Sequence, residues 1–242
     1  MELEGRVAIV TGGSRGIGRA TVLALAAAGC KMSFTYLEQK EKAEEVVKEL
    51  EAQGWSGMAH QCDVSSSEDA RRVVDATVEE LGRLDVLVNN AGVLIPARID
   101  TLTDEVWERT LLVNLKGAFN MCRHALPHLR RTRGRIVNVS SIAGLMGGVV
   151  GVHYAASKAG ILGFTRALAP EVAPDGVLVN SIAPDAVDTD MLLPELRPKV
   201  EGLNLLKRIL KPEEVAQGIL YLAKTDTLTG QTLNFNAGRY VF

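Results

Sequence analysis

A tyrosine and a lysine four residues apart, Tyr154 and Lys158, are the side chains in this sequence best suited to acid–base chemistry. They stand at the start of a stretch that reads as a helix through residue 172, and residues four apart share one helix face. A free tyrosine titrates near about 10, and a nearby ammonium group favours its phenolate form. The pair therefore predicts a phenol that exchanges a proton with a carbonyl or alcohol oxygen. Ordinary surface helices also carry this spacing, so the rest of the chain has to support the interpretation.

The composition is that of a soluble protein with one large core. The chain has 242 residues, 47% of them apolar and 23% charged, with a formal net charge of −2. This balance calls for no nucleic-acid or membrane partner, and no apolar run approaches the roughly 20 residues of a membrane span. The start of the chain shows no signal peptide, and Cys30, Cys62 and Cys122 have neither disulfide nor metal-ligand spacing. We expect a cytoplasmic protein without a metal site.

Strand-like and helix-like segments alternate along the whole chain. The predicted strands cover residues 6–11, 31–36, 57–62, 85–88, 135–139, 176–182 and 230–236. The predicted helices cover residues 17–28, 39–53, 68–81, 103–131, 159–172 and 212–224, with Tyr154 and Lys158 one turn apart on the helix that runs to residue 172. The pattern predicts a single α/β domain over residues 1–242, with a Rossmann-like, doubly wound parallel sheet of about seven strands and helices on both faces. Residues 190–210 lack a clean period and are expected to form a substrate lid.

A glycine-rich turn between the first strand and the first helix predicts a dinucleotide site. Such a turn lets the backbone approach a pyrophosphate closely and presents helix N-terminal amides to it. The residues expected to bind the cofactor here are Gly12, Ser14, Arg15, Gly16, Ile17 and Gly18. The small residues Asn90, Ala91 and Gly92, after the fourth strand, suit a second close approach of the cofactor.

The residues after the second and third strands indicate which cofactor is bound. NAD-binding folds usually place an acid at the end of the second strand, but here that strand ends at Tyr36. Arg15 could face a 2′-phosphate instead, which favours NADP(H) over NAD(H), whereas the nearby Glu38 argues for NAD(H). Asp63 and Val64 follow the third strand, where an adenine ring could lie. Asp63 could also serve as a helix cap.

In combination, these motifs resemble the short-chain dehydrogenase/reductase family over the full length of the chain. The resemblance rests on residues 11–18, Asn89-Asn90-Ala91-Gly92, Asn114, Ser141, Tyr154 with Lys158, Asn180-Ser181-Ile182-Ala183-Pro184 and Leu228-Thr229-Gly230-Gln231. Within the family, the chain looks most like the 3-oxoacyl-[acyl-carrier-protein] reductases and their relatives.

The resemblance implies a catalytic tetrad of Asn114, Ser141, Tyr154 and Lys158. Tyr154 would donate or accept the proton, and Ser141, chosen over Ser140 by family spacing, would hydrogen-bond the substrate oxygen. Lys158 would lower the pKa of Tyr154 and bind the nicotinamide ribose, and Asn114 would hold a water molecule that links Lys158 to solvent.

The resemblance also places the nicotinamide end of the cofactor beside Pro184, Val187 and Thr189. Three departures from the family pattern matter. The usual Pro-Gly after the sixth strand is Pro184-Asp185, which would strain the backbone if that position needs a positive φ. The usual Asn-Gly-Gly near the C-terminus is Asn236-Ala237-Gly238. Acidic residues and prolines stand at the end of the tyrosine helix, where carrier-protein reductases often carry basic residues.

We therefore expect an NADP(H)-dependent oxidoreductase that acts on a carbonyl or alcohol, with 3-oxoacyl thioesters as the first substrate hypothesis. A sugar, steroid or xenobiotic carbonyl is the alternative substrate, and a cofactor-binding regulator without turnover is the alternative from another class. Acyl carrier protein could dock on the basic run of residues 130–135, although such runs are usually solvated helix ends. The helices over 103–131 and 157–173 are expected to form the interfaces of a homotetramer, or of a dimer.

Overall fold

A parallel β-sheet forms the middle of the molecule in the computed structural model, which describes residues 1–192, 194 and 197–241. Its strands are β1 (Val7–Val10), β2 (Lys31–Tyr36), β3 (Gly57–Gln61), β4 (Val86–Asn89), β5 (Arg135–Val139), β6 (Leu178–Pro184) and β7 (Thr232–Phe235). The strand order is β3-β2-β1-β4-β5-β6-β7, and every neighbouring pair is parallel. The order reverses between β1 and β4, where doubly wound sheets bind their ligands.

Helices cover both faces of the sheet. They are α1 (Gly16–Ala27), α2 (Lys40–Ala52), α3 (Ser67–Leu81), α4 (Asp104–Leu111), α5 (Gly117–Thr132), α6 (Ala143–Met146), α7 (Val152–Val172), α8 (Arg197–Leu203) and α9 (Pro212–Lys224). One apolar core joins the sheet to α1, α2 and α9, and the other joins it to α3, α5 and α7. The two-sided cover explains why β1 reads as an unbroken apolar run, since all four of its side chains are buried.

The predicted elements are confirmed with two main differences in the helices. The helix predicted over 103–131 begins where expected, because the Thr103 side chain accepts a hydrogen bond from the Val106 N–H and caps it. It is not continuous, however: a π-helical turn, Leu112–Lys116, separates α4 from α5. The segment 190–210, expected to be irregular, contains α8. Its residues 193, 195 and 196 lie outside the described part of the chain.

None of the helices in the described ranges has the length and apolar character needed to cross a membrane.

Candidate active site

A cavity of about 490 Å³ opens at the carboxyl ends of the strands, beside the point where the strand order reverses. All but one of the residues predicted to act in catalysis or cofactor binding line it. The exception, Asn114, is 3% exposed and lies behind the wall. The structure therefore brings the predicted residues from both halves of the chain to one cavity.

The glycine-rich turn has the backbone shape that a pyrophosphate cradle requires. Gly12 and Gly16 have φ values of +66° and +53°, and a Cβ on Gly18 would lie 2.0 Å from the Gly12 carbonyl oxygen. The turn is tied to β2 because the Gly12 N–H donates to Thr35 Oγ1 at 3.1 Å. No side-chain hydrogen bond from Arg15 caps α1, so the first amides of that helix remain available to an anion. This cradle fits the phosphates of a dinucleotide.

The two serines after β5 have different partners. Ser140 is 2% exposed, and its hydroxyl donates to the Lys158 carbonyl oxygen at 2.8 Å. Ser141 lines the cavity, accepts from the Ala143 N–H at 3.1 Å and lies close enough to Tyr154 to lower the pKa of its phenol. Ser141 thus lies near the phenol of Tyr154, whereas Ser140 follows β5 and binds α7 through the Lys158 carbonyl.

Tyr154 and Lys158 share one face of α7 as predicted, with the Lys158 Nζ 5.9 Å from the centre of the Tyr154 ring. Burial raises the pKa of Tyr154, and the nearby Ser141 hydroxyl only partly offsets the rise. Burial also lowers the pKa of Lys158 to about 8, and its Nζ donates to the Val139 carbonyl oxygen at 2.9 Å. The expected lowering of the Tyr154 pKa by Lys158 is therefore not present in this structure: desolvation dominates at this distance.

Asn114 lies in the π-helical turn and bridges three segments. Its Oδ1 accepts from the Val93 N–H at 2.8 Å, and its Nδ2 donates to the Val93 carbonyl and the Ser157 hydroxyl. A Cβ on Gly92 would lie 3.2 Å from Asn114 Oδ1 and 3.7 Å from Lys158 Nζ. The absence of a side chain at Gly92 therefore leaves Asn114 and Lys158 free to approach the same space.

Charged groups mark the far end of the cavity, around the carboxyl end of β2. Arg15 lines the cavity and lies 3.9 Å from Asp190 Oδ2, to which Lys42 donates at 3.0 Å. Glu38 also lines this end. The arginine that the sequence predicts for a 2′-phosphate is thus present, together with a second cation that the sequence analysis missed. The only signal for Lys42 was its position one turn into α2.

Of the two roles considered for Asp63, the structure supports its place in the cavity wall and not the helix cap. Its Oδ1 accepts from the amide and the hydroxyl of Ser65, and its Oδ2 lies 3.2 Å from Arg109 Nη1. Partial burial alone would raise the pKa of Asp63, but the bonds from Ser65 and Arg109 hold it below its ordinary value. Ser66, and not Asp63, caps α3 through the Asp69 N–H. Asp63 therefore lines the cavity as an ionised, fixed acceptor.

The two departures from the family pattern near the nicotinamide end behave differently from expectation. Asp185 is not among the residues with positive φ, so its backbone is not strained, whereas Ala237, regarded as the milder change, has φ of +51°. Asp185 Oδ1 lies 3.7 Å from Arg239 Nη1, and both side chains line the cavity. Burial raises the pKa of Asp185, opposed by the Ala186 amide, Arg239 and Asn204. Arg239 was not predicted, because nothing in the sequence connects it with Asp185.

The fold and the cavity define an α/β oxidoreductase that binds a dinucleotide, and comparison with known proteins gives the family. The model of the short chain dehydrogenase family matches residues 6–199. A curated 3-oxoacyl-[acyl-carrier-protein] reductase from Synechocystis sp. is 39% identical over 253 residues, covering 99% of both chains. The chain therefore belongs to the short-chain dehydrogenase/reductase family and uses a nicotinamide cofactor.

Solved structures agree with this assignment. The crystal structure of a short chain dehydrogenase from Burkholderia cenocepacia J2315 in complex with NADP matches with a TM-score of 0.95 at 34% identity, covering 99% of each chain. A blue fluorescent protein from a metagenomic library, in complex with NADPH, matches with a TM-score of 0.95 at 35% identity over 100% of each chain.

Proposed function

We propose that this protein reduces 3-oxoacyl thioesters with NADPH. The observation that carries the proposal is the group of Ser141, Tyr154 and Lys158 in one cavity, with the Ser141 hydroxyl close enough to Tyr154 to lower its pKa against the effect of burial. The curated relative from Synechocystis, of nearly the same length, supports the substrate class through its name.

In the proposed mechanism, Tyr154 acts as the acid. The nicotinamide, when bound, supplies the hydride to the carbonyl carbon. The Tyr154 hydroxyl gives its proton to the carbonyl oxygen, and Ser141 donates a hydrogen bond that stabilises the developing negative charge. Because burial keeps the pKa of Tyr154 above its ordinary value, the phenol is protonated at neutral pH and ready to donate.

In this proposal, Lys158 and Asn114 help to return a proton to Tyr154 after it has protonated the substrate. Lys158 is charged below about pH 8, the value to which burial lowers its pKa, so it can favour the transient Tyr154 phenolate and bind the nicotinamide ribose. Asn114 is fixed by Val93 and Ser157 on the inner side of Gly92. From there it would hold a water molecule that returns a proton to Lys158.

The preference for NADPH rests on Arg15, which lines the end of the cavity where the 2′-phosphate would lie, and on Lys42, which shares the Asp190 carboxylate with it. The cofactors in the two solved relatives, NADP and NADPH, support the same choice. Val187 and Thr189, beyond Pro184, would contact the nicotinamide amide. Residues 190–210 would form the substrate lid of a single domain, since Met191, Leu192 and Val200 line the cavity.

Docking of acyl carrier protein is less well supported than the thioester chemistry. Of the basic run, Arg130 is already paired with Asp175 at 2.7 Å. Arg133 has a left-handed backbone as the C-cap of α5. The proposal therefore does not require that the acyl chain be attached to carrier protein. Fatty acid biosynthesis is the setting that we propose for this chemistry.

The test is the initial rate of reduction of a short 3-oxoacyl thioester, with NADPH and NADH measured side by side. We expect turnover with both cofactors and a higher kcat/KM with NADPH. A preference for NADH would refute the role of Arg15 and Lys42 but leave the catalytic group intact. No turnover of the thioester by enzyme that demonstrably binds NADPH would refute the substrate class.

A further inference from the structure

A buried ion pair lies in the wall of the catalytic cavity, where most of the lining is apolar or backbone. Asp185 follows β6, and Arg239 belongs to the C-terminal segment; both line the same cavity as Tyr154 and the lid residue Val200. The proposed mechanism uses neither charge. Their side chains are 8% and 12% exposed, so the pair is largely removed from water.

The pair leaves hydrogen-bonding capacity unused. The separation of 3.7 Å between Arg239 Nη1 and Asp185 Oδ1 is longer than a hydrogen bond, which rarely exceeds about 3.2 Å. Arg239 Nη1 and Asp185 Oδ2 are buried and have no hydrogen-bond partner in the described part of the chain. Buried charged groups that lack such partners are costly, so a ligand that satisfies one of them gains affinity.

The charge of the pair restricts that ligand. The Asp185 carboxylate compensates the Arg239 guanidinium, so a further anion placed there would add an uncompensated negative charge to a poorly hydrated site. A neutral oxygen acceptor gains the hydrogen bond without that cost. Arg239 Nη1 can only donate, and a carbonyl oxygen is the neutral group that accepts best.

The geometry points to Arg239, positioned by Asp185, as a specificity-determining residue that donates from Nη1 to a neutral carbonyl oxygen of the substrate beyond its reacting carbonyl. This inference rests on the proposed function, in which the acyl carbonyl of a 3-oxoacyl thioester is such an acceptor. Beyond the proposed function, we expect the enzyme to select 3-oxo esters and thioesters over simple ketones, which lack a second carbonyl. We also expect it to select them over free 3-oxo acids, which are anions.

The first test compares kcat/KM for ethyl 3-oxobutanoate and for 2-heptanone, a ketone of similar size without the second carbonyl. We expect the wild-type enzyme to favour the ester, and Arg239→Met to reduce the ester-to-ketone ratio by about 10- to 100-fold, as for one hydrogen bond from a charged donor. Arg71→Met, the same change at an exposed site on α3, is the matched control and should not alter the ratio. An unchanged ratio in Arg239→Met would overturn the inference.

Since Arg239→Met leaves Asp185 buried without its partner, that variant could fail to fold. The double variant Asp185→Gly/Arg239→Met removes both charges and places glycine where the family pattern has it. We expect it to fold and to show the same loss of discrimination. A folded double variant that keeps the wild-type ratio would show that Arg239 does not contribute to the discrimination, and would refute the inference.

The second test removes only the compensating charge. Asp185→Asn leaves Arg239 as an uncompensated cation, so we expect kcat/KM for 3-oxobutanoate, relative to its ethyl ester, to rise at least about tenfold. No rise would contradict the charge argument. Failure of the proposed function would look different. An enzyme that reduces the ester but not the thioester would refute the proposed thioester substrate. The effect of Arg239→Met on the ester-to-ketone ratio of kcat/KM would still decide this inference.

Discussion

At the scale of single residues, burial decides the protonation chemistry of this site. It raises the pKa of Tyr154 and lowers that of Lys158 to about 8. The residue types and their spacing were readable in the sequence, because four residues make one helical turn. The sizes of the opposing effects on these pKa values could not be read from the sequence, because the desolvation of each group depends on what α7 packs against.

Lys158 provides a test of this burial through stability. Its folded pKa of about 8 lies below the unfolded value of 10.5, so the unfolded state binds more protons between these values and stability rises with pH through that window. Below pH 8 the buried charge costs about 3 kcal/mol, at about 1.4 kcal/mol per pKa unit. At roughly 2–4 °C per kcal/mol for a chain of this size, Lys158→Met should therefore raise the Tm of the cofactor-free protein at pH 7 by about 6–12 °C, and by less near pH 10.

The measurement is thermal unfolding at both pH values, with the exposed Lys48→Met on α2 as the control. A Lys158→Met protein that is less stable than this control at pH 7 would show that the hydrogen bond to Val139 outweighs the desolvation of the ammonium group.

At the scale of elements, the segments between the regular strands and helices make side-chain contacts that the sequence pattern does not predict. The π-helical turn at Leu112–Lys116 is one example: the sequence shows an asparagine among apolar residues, but not the extra backbone residue that lets Asn114 bond Val93. Asp185 is another, since its φ is ordinary and its charge meets Arg239 from a distant segment. The periodicity of apolar residues predicts the regular elements but does not predict such contacts.

The loop after β6 leads to a prediction on cofactor choice. Asp190 lies 3.0 Å from Lys42 and 3.9 Å from Arg15, so its carboxylate competes with a 2′-phosphate for these cations. Asp190→Asn should tighten the binding of NADPH by about two- to fivefold, a modest gain because the pairs are exposed. The Kd values for NADPH and NADH, measured by fluorescence titration, check this. Equal changes for both cofactors, or weaker binding of NADPH, would contradict it.

At the scale of the whole molecule, the seven-stranded sheet and its site were predictable because both faces of the sheet are covered. Unbroken apolar strands, alternating with amphipathic helices, leave few other arrangements. The homotetramer expected through the helices over 103–131 and 157–173 stays a prediction, and an apolar groove on these helices is the surface that would form its interface. The groove is lined by Leu111, Leu112, Leu115, Phe119 and Phe164.

We expect this groove to be an interface of a homotetramer, formed by α4, α5 and α7. Phe119 is 43% exposed and Leu112 37%, more than their size favours in an isolated chain. Phe119→Glu should convert tetramers to dimers or monomers in sedimentation equilibrium, whereas Gln53→Glu, an added charge at an exposed site after α2, should not. A wild-type protein that is monomeric at all concentrations would refute the expectation.

The most direct test of the account is the substitution Tyr154→Phe, which removes only the hydroxyl proposed to protonate the substrate. The measurement is kcat for a 3-oxoacyl thioester together with the Kd for NADPH, with Tyr221→Phe on the exposed face of α9 as the control. The account predicts that Tyr154→Phe lowers kcat by at least about 100-fold and leaves the Kd for NADPH nearly unchanged. A variant that binds NADPH and keeps most of its turnover would contradict the central claim.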